Sequence, residues 1–262
     1  MKADSWVEYR GQPPNRRQGS LTHQATIRDL DGQLRRCYLK MDPPNVGDVV
    51  LAEWIGHLLL SALDIPRSAF AGIVLVPIDK LAHSLTIPEQ MKEATLWPAF
   101  CCELVDNFKP VVLWRWRERL LLSRMYQEDE VIRIAAFDEW VDNPDRHDKN
   151  IILSRDGKFV AIDHDHLLQS ILSKLAVVPQ TIMLQARKCL TPKDFDKFSV
   201  SVASASNQHS SCFTTARSDI EEAVKSIHIG NIPSDTLFKD IDAFLTERSQ
   251  DGWLAQKLQV IA

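Results

Sequence analysis

The chain has no run approaching the roughly 18 consecutive apolar residues that a membrane span requires. Its first residues, Met1-Lys2-Ala3-Asp4-Ser5-Trp6, hold no apolar core of signal-peptide length. A soluble, intracellular protein with no membrane partner is therefore expected. The five cysteines, Cys37, Cys101, Cys102, Cys189 and Cys212, are odd in number and never spaced C-x-x-C, which excludes a disulfide framework and a zinc knuckle. A reducing cytoplasm is the matching compartment. Neither sign of charge dominates: a formal charge of −4 and a pI of about 6.1 give no overall pull toward nucleic acid or an anionic membrane. No direct nucleic-acid partner is expected, and no internal repeat is visible.

What is present is ordinary in bulk. Hydrophobic residues at 45% and charged residues at 25% lie near the averages for soluble globular proteins. A length of 262 residues suffices for one compact unit of two lobes facing a cleft. Residues 5–41 read as β-structure: Trp6–Arg10, a polar stretch from Gly11 to Ser20, then runs at 21–29 and 34–41 around Asp31-Gly32, a strong hairpin signal. In the last run Cys37, Leu39 and Met41 share one face, and Tyr38 and Lys40 the other. Lys40 thus points away from the apolar side.

Asp48 is placed to cap a helix reaching about Leu63, with apolar residues at 51, 54, 55, 58, 59 and 62. Glu53 lies roughly opposite that stripe, on a face that also carries Val49 and Leu60, so it is expected at a contact rather than in open water. Phe70–Pro77 and Trp97–Val105 read as strands completing an N-terminal sheet. From Val111 the periodicity turns helical, with helices predicted at Val112–Tyr126 and Glu130–Val141 and helical pattern after about residue 166. The Ser/Thr-rich tract Ser201–Ser218 reads as a mobile loop within that half. Strands first and helices second define an α+β chain with a β-rich N-terminal lobe of about residues 1–105 and a helical C-terminal lobe of about 106–262.

Residues 137–150, FDEWVDNPDRHDKN, carry the chemistry. The residue before a proline is pushed out of helical geometry, so Asn143-Pro144 ends a helix and Asp145 opens a loop. Asn150 then leads into the apolar run Ile151-Ile152-Leu153. Asp156-Gly157 turns the chain into the strand Lys158–Ile162, and Asp163-His164-Asp165-His166 follows. A two-residue turn at Asp156-Gly157 would pair residues whose numbers sum to 313, setting Asn150 directly across from Asp163. Opposed residues have Cβ atoms about 4.5–5.5 Å apart on one face. One amide oxygen and one carboxylate so placed suit Mg²⁺, which takes one or two protein oxygens and keeps its other positions for water and phosphates.

An Asp-x₄-Asn loop followed by a hairpin and a second Asp is the layout of the protein-kinase-like active site. The run Asn143-Pro144-Asp145-Arg146-His147-Asp148-Lys149-Asn150 resembles the N-x-D-x-H-x-K-N stretch of HipA-like kinases, and Ile162-Asp163-His164-Asp165 resembles the metal-binding stretch of their small relatives. Tyr38-Leu39-Lys40 and the helix ending Ala62-Leu63-Asp64-Ile65-Pro66 extend the likeness. The resemblance implies a bilobal protein-kinase-like fold using ATP and Mg²⁺. It makes Asp145 the catalytic Asp, Asn150 and Asp163 the metal ligands, and Lys40 the strand lysine at the α/β-phosphates with Glu53 as its partner. It further implies a hinge near Phe100–Val105, with Cys102, Glu103 and Val105 around the adenine. In place of G-x-G-x-x-G the segment before Lys40 has only Gly11 and Gly19, with Ser20 beside the latter as an autophosphorylation site, and Asp163-His164-Asp165 replaces Asp-Phe-Gly.

The expected function is a serine/threonine protein kinase of toxin–antitoxin type with an antitoxin-like partner. Kinases of small molecules or lipids share the Asp-x₄-Asn geometry, so the acceptor is a protein or small-molecule hydroxyl. A catalytically silent pseudokinase is the non-enzymatic alternative. His147, His164 and His166 with Asp145, Asp148 and Asp163 could instead hold a hydrolytic metal. In Trp114-Arg115-Trp116-Arg117, neighbours on a helix point about 100° apart, which favours core packing over nucleic-acid or membrane contact.

Overall fold

The computed structural model describes residues 5–13, 21–42, 48–104, 109–110, 123–147, 150–173, 177–228 and 231–261. The chain is α+β, with an antiparallel sheet in its N-terminal part and helices in its C-terminal part. Strands β1 (Trp6–Gly11), β2 (His23–Arg28), β3 (Leu34–Lys40), β4 (Ala71–Pro77) and β5 (Leu96–Glu103) form one five-stranded sheet in the order β1-β2-β3-β5-β4. A smaller sheet joins β6 (Lys109–Pro110), β7 (Ile151–Leu153) and β8 (Phe159–Ala161) in that order.

The alternation expected in β3 is observed. Cys37, Leu39 and Met41 are buried in a cluster with Ala25, Ile27, Val74, Val76, Ala99 and Cys101. Short helices α2 (Ile78–Ala82) and α3 (Glu89–Lys92) contribute Ile78, Leu81 and Met91 to that cluster, so it forms the core under one face of the sheet. Lys40, on the other face, pairs in register with Phe100, and Tyr38 with Cys102. Helix α1 (Val49–Ala62) lies against β4 and β5, and the ring of its Trp54 is 6.5 Å from that of Phe100.

Most of α1's apolar stripe packs away from the sheet. Leu51, Ile55, Leu59 and Leu60 belong to the large C-terminal core with α4 (Asp129–Trp140), α7 (Pro192–Ala205), α8 (His209–Ile227) and α9 (Ser234–Arg248). The same helical region holds α5 (Gln169–Leu172), α6 (Ile182–Cys189) and α10 (Trp253–Leu258). Burial of α1 on two sides leaves Glu53 only 2% exposed.

Several expectations are corrected. The tract Ser201–Ser218 is no loop: α7 runs to Ala205, a 3₁₀ turn covers Ser206–Gln208, and α8 starts at His209. Hydroxyl groups that compete for backbone in a free chain here bond the preceding turn, Ser204 Oγ to Val200 O at 2.9 Å and Thr214 Oγ1 to Ser210 O at 2.9 Å. Burial of Val202, Phe213 and Ala216 supplies the packing that propensity lacks. Asp48 precedes α1 but makes no side-chain cap; its carboxylate meets His228 Nδ1 at 2.6 Å instead.

Both Asp-Gly hairpins close with three-residue loops. Asp29 pairs with Gln33 and Ser154 with Lys158, with Gly32 and Gly157 in the left-handed region (φ +83° each). The predicted helix Val112–Tyr126 lies mostly outside the described residues, with 123–125 helical, and the Trp114–Arg117 run lies wholly outside them. All five cysteines are free, and among the described residues no helix is long and apolar enough to cross a membrane.

Candidate active site

The site begins at the end of α4. Asp142, Asn143 and Pro144 lead the chain out of the helix, and Asn143 Nδ2 bonds back to Asp138 Oδ1 at 2.9 Å. Arg146 is fully buried (0% exposed) and forms a two-pronged pair with Asp138, Nε to Oδ2 at 3.0 Å and an Nη2 bond to Oδ1 at 3.1 Å. Its remaining nitrogen donates to Asn150 O at 3.2 Å and to Ile162 O. One guanidinium therefore ties α4, the loop and the ends of β7 and β8 together. Asn150 Nδ2 donates to Asp145 O at 2.8 Å, which closes the Asp-x₄-Asn loop and leaves the Asn150 amide oxygen as the atom available to a cation. Asp145 and Asn150 are each 5% exposed.

The expected ladder opposition of Asn150 and Asp163 is corrected by one residue. The observed pairs, Ile151 with Ala161 and Leu153 with Phe159, sum to 312, and Ile162 N donates to Asn150 O at 3.1 Å. The three-residue loop sets this register, and a one-residue slip turns a side chain to the other face. Asp163 then leaves strand geometry at φ +67°, a conformation short polar residues tolerate. Its carboxylate reaches Lys40.

Lys40 is where the elements meet. Its ammonium pairs with Glu53 of α1 and with Asp163. Burial works against the charged ammonium, but Asp163, Glu53 and Asp165 outweigh it and hold the Lys40 pKa well above the usual lysine range. Burial would raise Glu53, yet Lys40 and the hydrogen bond with His164 bring it to about 2. Asp163, under the same opposed influences of burial and Lys40, is likewise held well below its ordinary value. Lys40 and Glu53 thus form the ion pair expected of them, joined by Asp163.

Other acidic groups surround this cluster. Asp165 is pushed up to about 6 by burial, with Asp163 and Glu53 adding to the effect of burial against Lys40. Asp42, which accepts from Val49 N, is pushed up to about 7 by burial and by Asp165. His166 Nε2 lies 3.9 Å from Asp145 Oδ2 and 3.8 Å from Asp165 Oδ1, and ligand atoms of these three residues fall within 4.8 Å of one another. His164 faces elsewhere, with Nδ1 on Glu53 Oε2 at 3.3 Å.

Of the residues expected around adenine, Glu103 donates its N–H to Phe70 O at 2.9 Å and accepts from Ser68 Oγ at 3.1 Å on its carbonyl. Its carboxylate meets Arg35 Nη1 at 3.2 Å. Cys102 shares the face of Lys40, and burial followed by Glu53 pushes its thiol up to about 12. Val105 and Ser20 lie outside the described residues. Sequence reasoning missed Arg146, Asp138, Asp42 and the bond from His164 to Glu53. Two charged residues framing Asn143-Pro144 next to Asp145 were the available sign of the first pair.

No family description and no curated protein matches the sequence. Among solved structures, a chain of the Shewanella oneidensis MR-1 toxin–antitoxin HipA, HipB and operator DNA complex is similar at a TM-score of 0.49 and 9% identity, over 100% of this chain and 70% of that one.

Proposed function

We propose that the chain is an ATP- and Mg²⁺-dependent phosphotransferase acting on a hydroxyl, in its specific form a serine/threonine protein kinase of the HipA-like kind. The observation that carries the reading is the meeting of Lys40, Glu53 and Asp163, drawn from β3, α1 and the segment after β8, beside the closed Asp145–Asn150 loop. A strand lysine held by a helix glutamate next to an Asp and an Asp-x₄-Asn loop is what phosphoryl transfer requires of a protein. On this reading the cleft lies between lobes of about residues 1–105 and 106–262.

The donor set fits a hard divalent cation. Asn150 and Asp163 offer oxygen ligands, and Glu53 and Asp163 set two carboxylates against the single ammonium of Lys40. Asn150 and Asp163 would hold Mg²⁺, which would supply charge neutralisation at the phosphates. Lys40 then steadies the phosphates, Glu53 fixes Lys40, and Asp145 accepts the acceptor's proton and orients its oxygen. The sequence resemblance extends the reading to an antitoxin-like protein partner, with a small-molecule or lipid hydroxyl and a silent pseudokinase as its alternatives. The test is incubation with Mg²⁺ and γ-labelled ATP, with and without cell extract, followed by mapping of labelled residues. Absence of any transfer with wild-type protein, together with absence of MgATP binding, removes the reading.

A metal-dependent hydrolase is the second reading, favoured by the grouping of Asp145, Asp165 and His166. It requires metal-dependent cleavage without ATP.

A further inference from the structure

We propose that His164 is a positioning residue that holds Glu53 against Lys40, and that Gly56 is the residue whose missing side chain makes this contact available. The meaning given to the cluster rests on the phosphotransferase reading, whereas the coupling of α1 to the 163–164 segment stands on geometry alone.

Glu53 uses both oxygens on this segment. Oε1 accepts the His164 backbone N–H at 2.9 Å as well as the Lys40 ammonium, and Oε2 faces His164 Nδ1 at 3.3 Å. A carboxylate can only accept, so the ring must carry a proton on Nδ1. With its proton on Nδ1 the ring is a donor to Glu53, and it leaves the Lys40 ammonium as the cation on that carboxylate. The backbone bond comes from the residue directly after Asp163, the other partner of Lys40. A displacement of either carboxylate is thereby transmitted to the other.

Gly56 lies three residues after Glu53, on the same side of α1. Glycine in a helix interior is unfavourable relative to alanine, and close approach is the reason for it here. A Cβ at this position would stand 2.9 Å from both Cβ and Cγ of His164. The Cβ is fixed by the backbone and cannot swing aside. Any larger residue forces α1 and the 163–164 segment apart, and Glu53 leaves with the helix.

The test reads Lys40 directly. The full chain is treated with an amine-acylating ester, and modification of Lys40 is followed by peptide mass spectrometry in wild type, Glu53→Gln, His164→Ala, His164→Asn and Gly56→Ala. Lys40 is 17% exposed at its side chain and its ammonium is held by two carboxylates, so wild type labels slowly. Glu53→Gln removes one of the two carboxylates that hold the ammonium, so it sets the upper reference, about tenfold faster than wild type. His164→Ala and Gly56→Ala are expected to approach that rate. His164→Asn, whose amide N–H can stand in for Nδ1–H, is expected to stay within about twofold of wild type.

Wild-type labelling in a folded His164→Ala protein overturns the proposal, as does equal acceleration by Asn and Ala. Should Gly56→Ala fail to fold, the His164 pair still decides. Wild-type protein that transfers no phosphate but shows the expected labelling order refutes the phosphotransferase reading and sustains the positioning role. Transfer with unchanged labelling does the reverse.

Discussion

Removal of Arg146 is expected to loosen the segment that follows α4 and to remove much of the stability of the chain. Arg146 is 0% exposed and Asp138 3% exposed, so Arg146→Met leaves a buried carboxylate with Asn143 as its remaining side-chain donor. It also strips a donor from the carbonyls of Asn150 and Ile162. Breaking one partner of a buried pair costs about 3–5 kcal/mol, because the other charge stays behind unpaired. Against a total stability of about 5–15 kcal/mol this is a large share. For a domain of this size it lowers Tm by about 6–20 °C. Urea unfolding followed by circular dichroism measures it. The cycle with Asp138→Leu adds a sharper test: the double variant buries no lone charge and is expected to be more stable than the sum of single losses implies, by about 2 kcal/mol or more. A loss under about 1 kcal/mol for Arg146→Met, or simple additivity in the cycle, refutes the reasoning.

Asp145→Ala is expected to lower kcat by about 10²–10⁴, the range of a general base, with little change in nucleotide affinity; near wild-type turnover on an identified substrate contradicts its role. Asp163→Asn is expected to weaken MgATP binding about tenfold, equivalent to about 1.4 kcal/mol, in a calorimetric titration. Excess MgATP at about 100 times its Kd is expected to add about 2.7 kcal/mol of stability, read as a rise in Tm, and no rise at millimolar nucleotide counts against the site. Burial pushes the His209 imidazole, stacked 4.4 Å from the Trp140 ring, down to about 3. Between about pH 3 and 6.5 the unfolded chain then binds a proton that the folded chain refuses, so stability falls as pH drops, by up to about 1.4 kcal/mol per unit. His209→Phe is expected to remove one proton's worth of that slope in Tm measured against pH.

Local pattern alone determined a good deal. The period of two in Cys37, Leu39 and Met41 fixed which face Lys40 takes, because alternation along a strand is a property of the backbone. The apolar spacing of α1 placed Glu53 at a buried contact, and the helix predicted to end at Val141 ends at Trp140, with Asp142 in the left-handed region ahead of Asn143-Pro144. Turn chemistry was only half legible. Asp-Gly announces a hairpin, but whether two or three residues close it depends on strand twist and packing, and that difference moved Asn150 from Asp163 to Ile162. The Ser/Thr-rich tract became helix because buried Val202 and Phe213 outweigh weak propensity, an energy that exists only once neighbouring helices are in place. Asp48 turned from α1 to His228, 180 positions away, for the same reason. The cluster itself was decided by tertiary structure. Glu53 and Asp163 lie 13 and 123 positions after Lys40, and only the packing of α1 between sheet and helices brings their charges into a volume where each shifts the others.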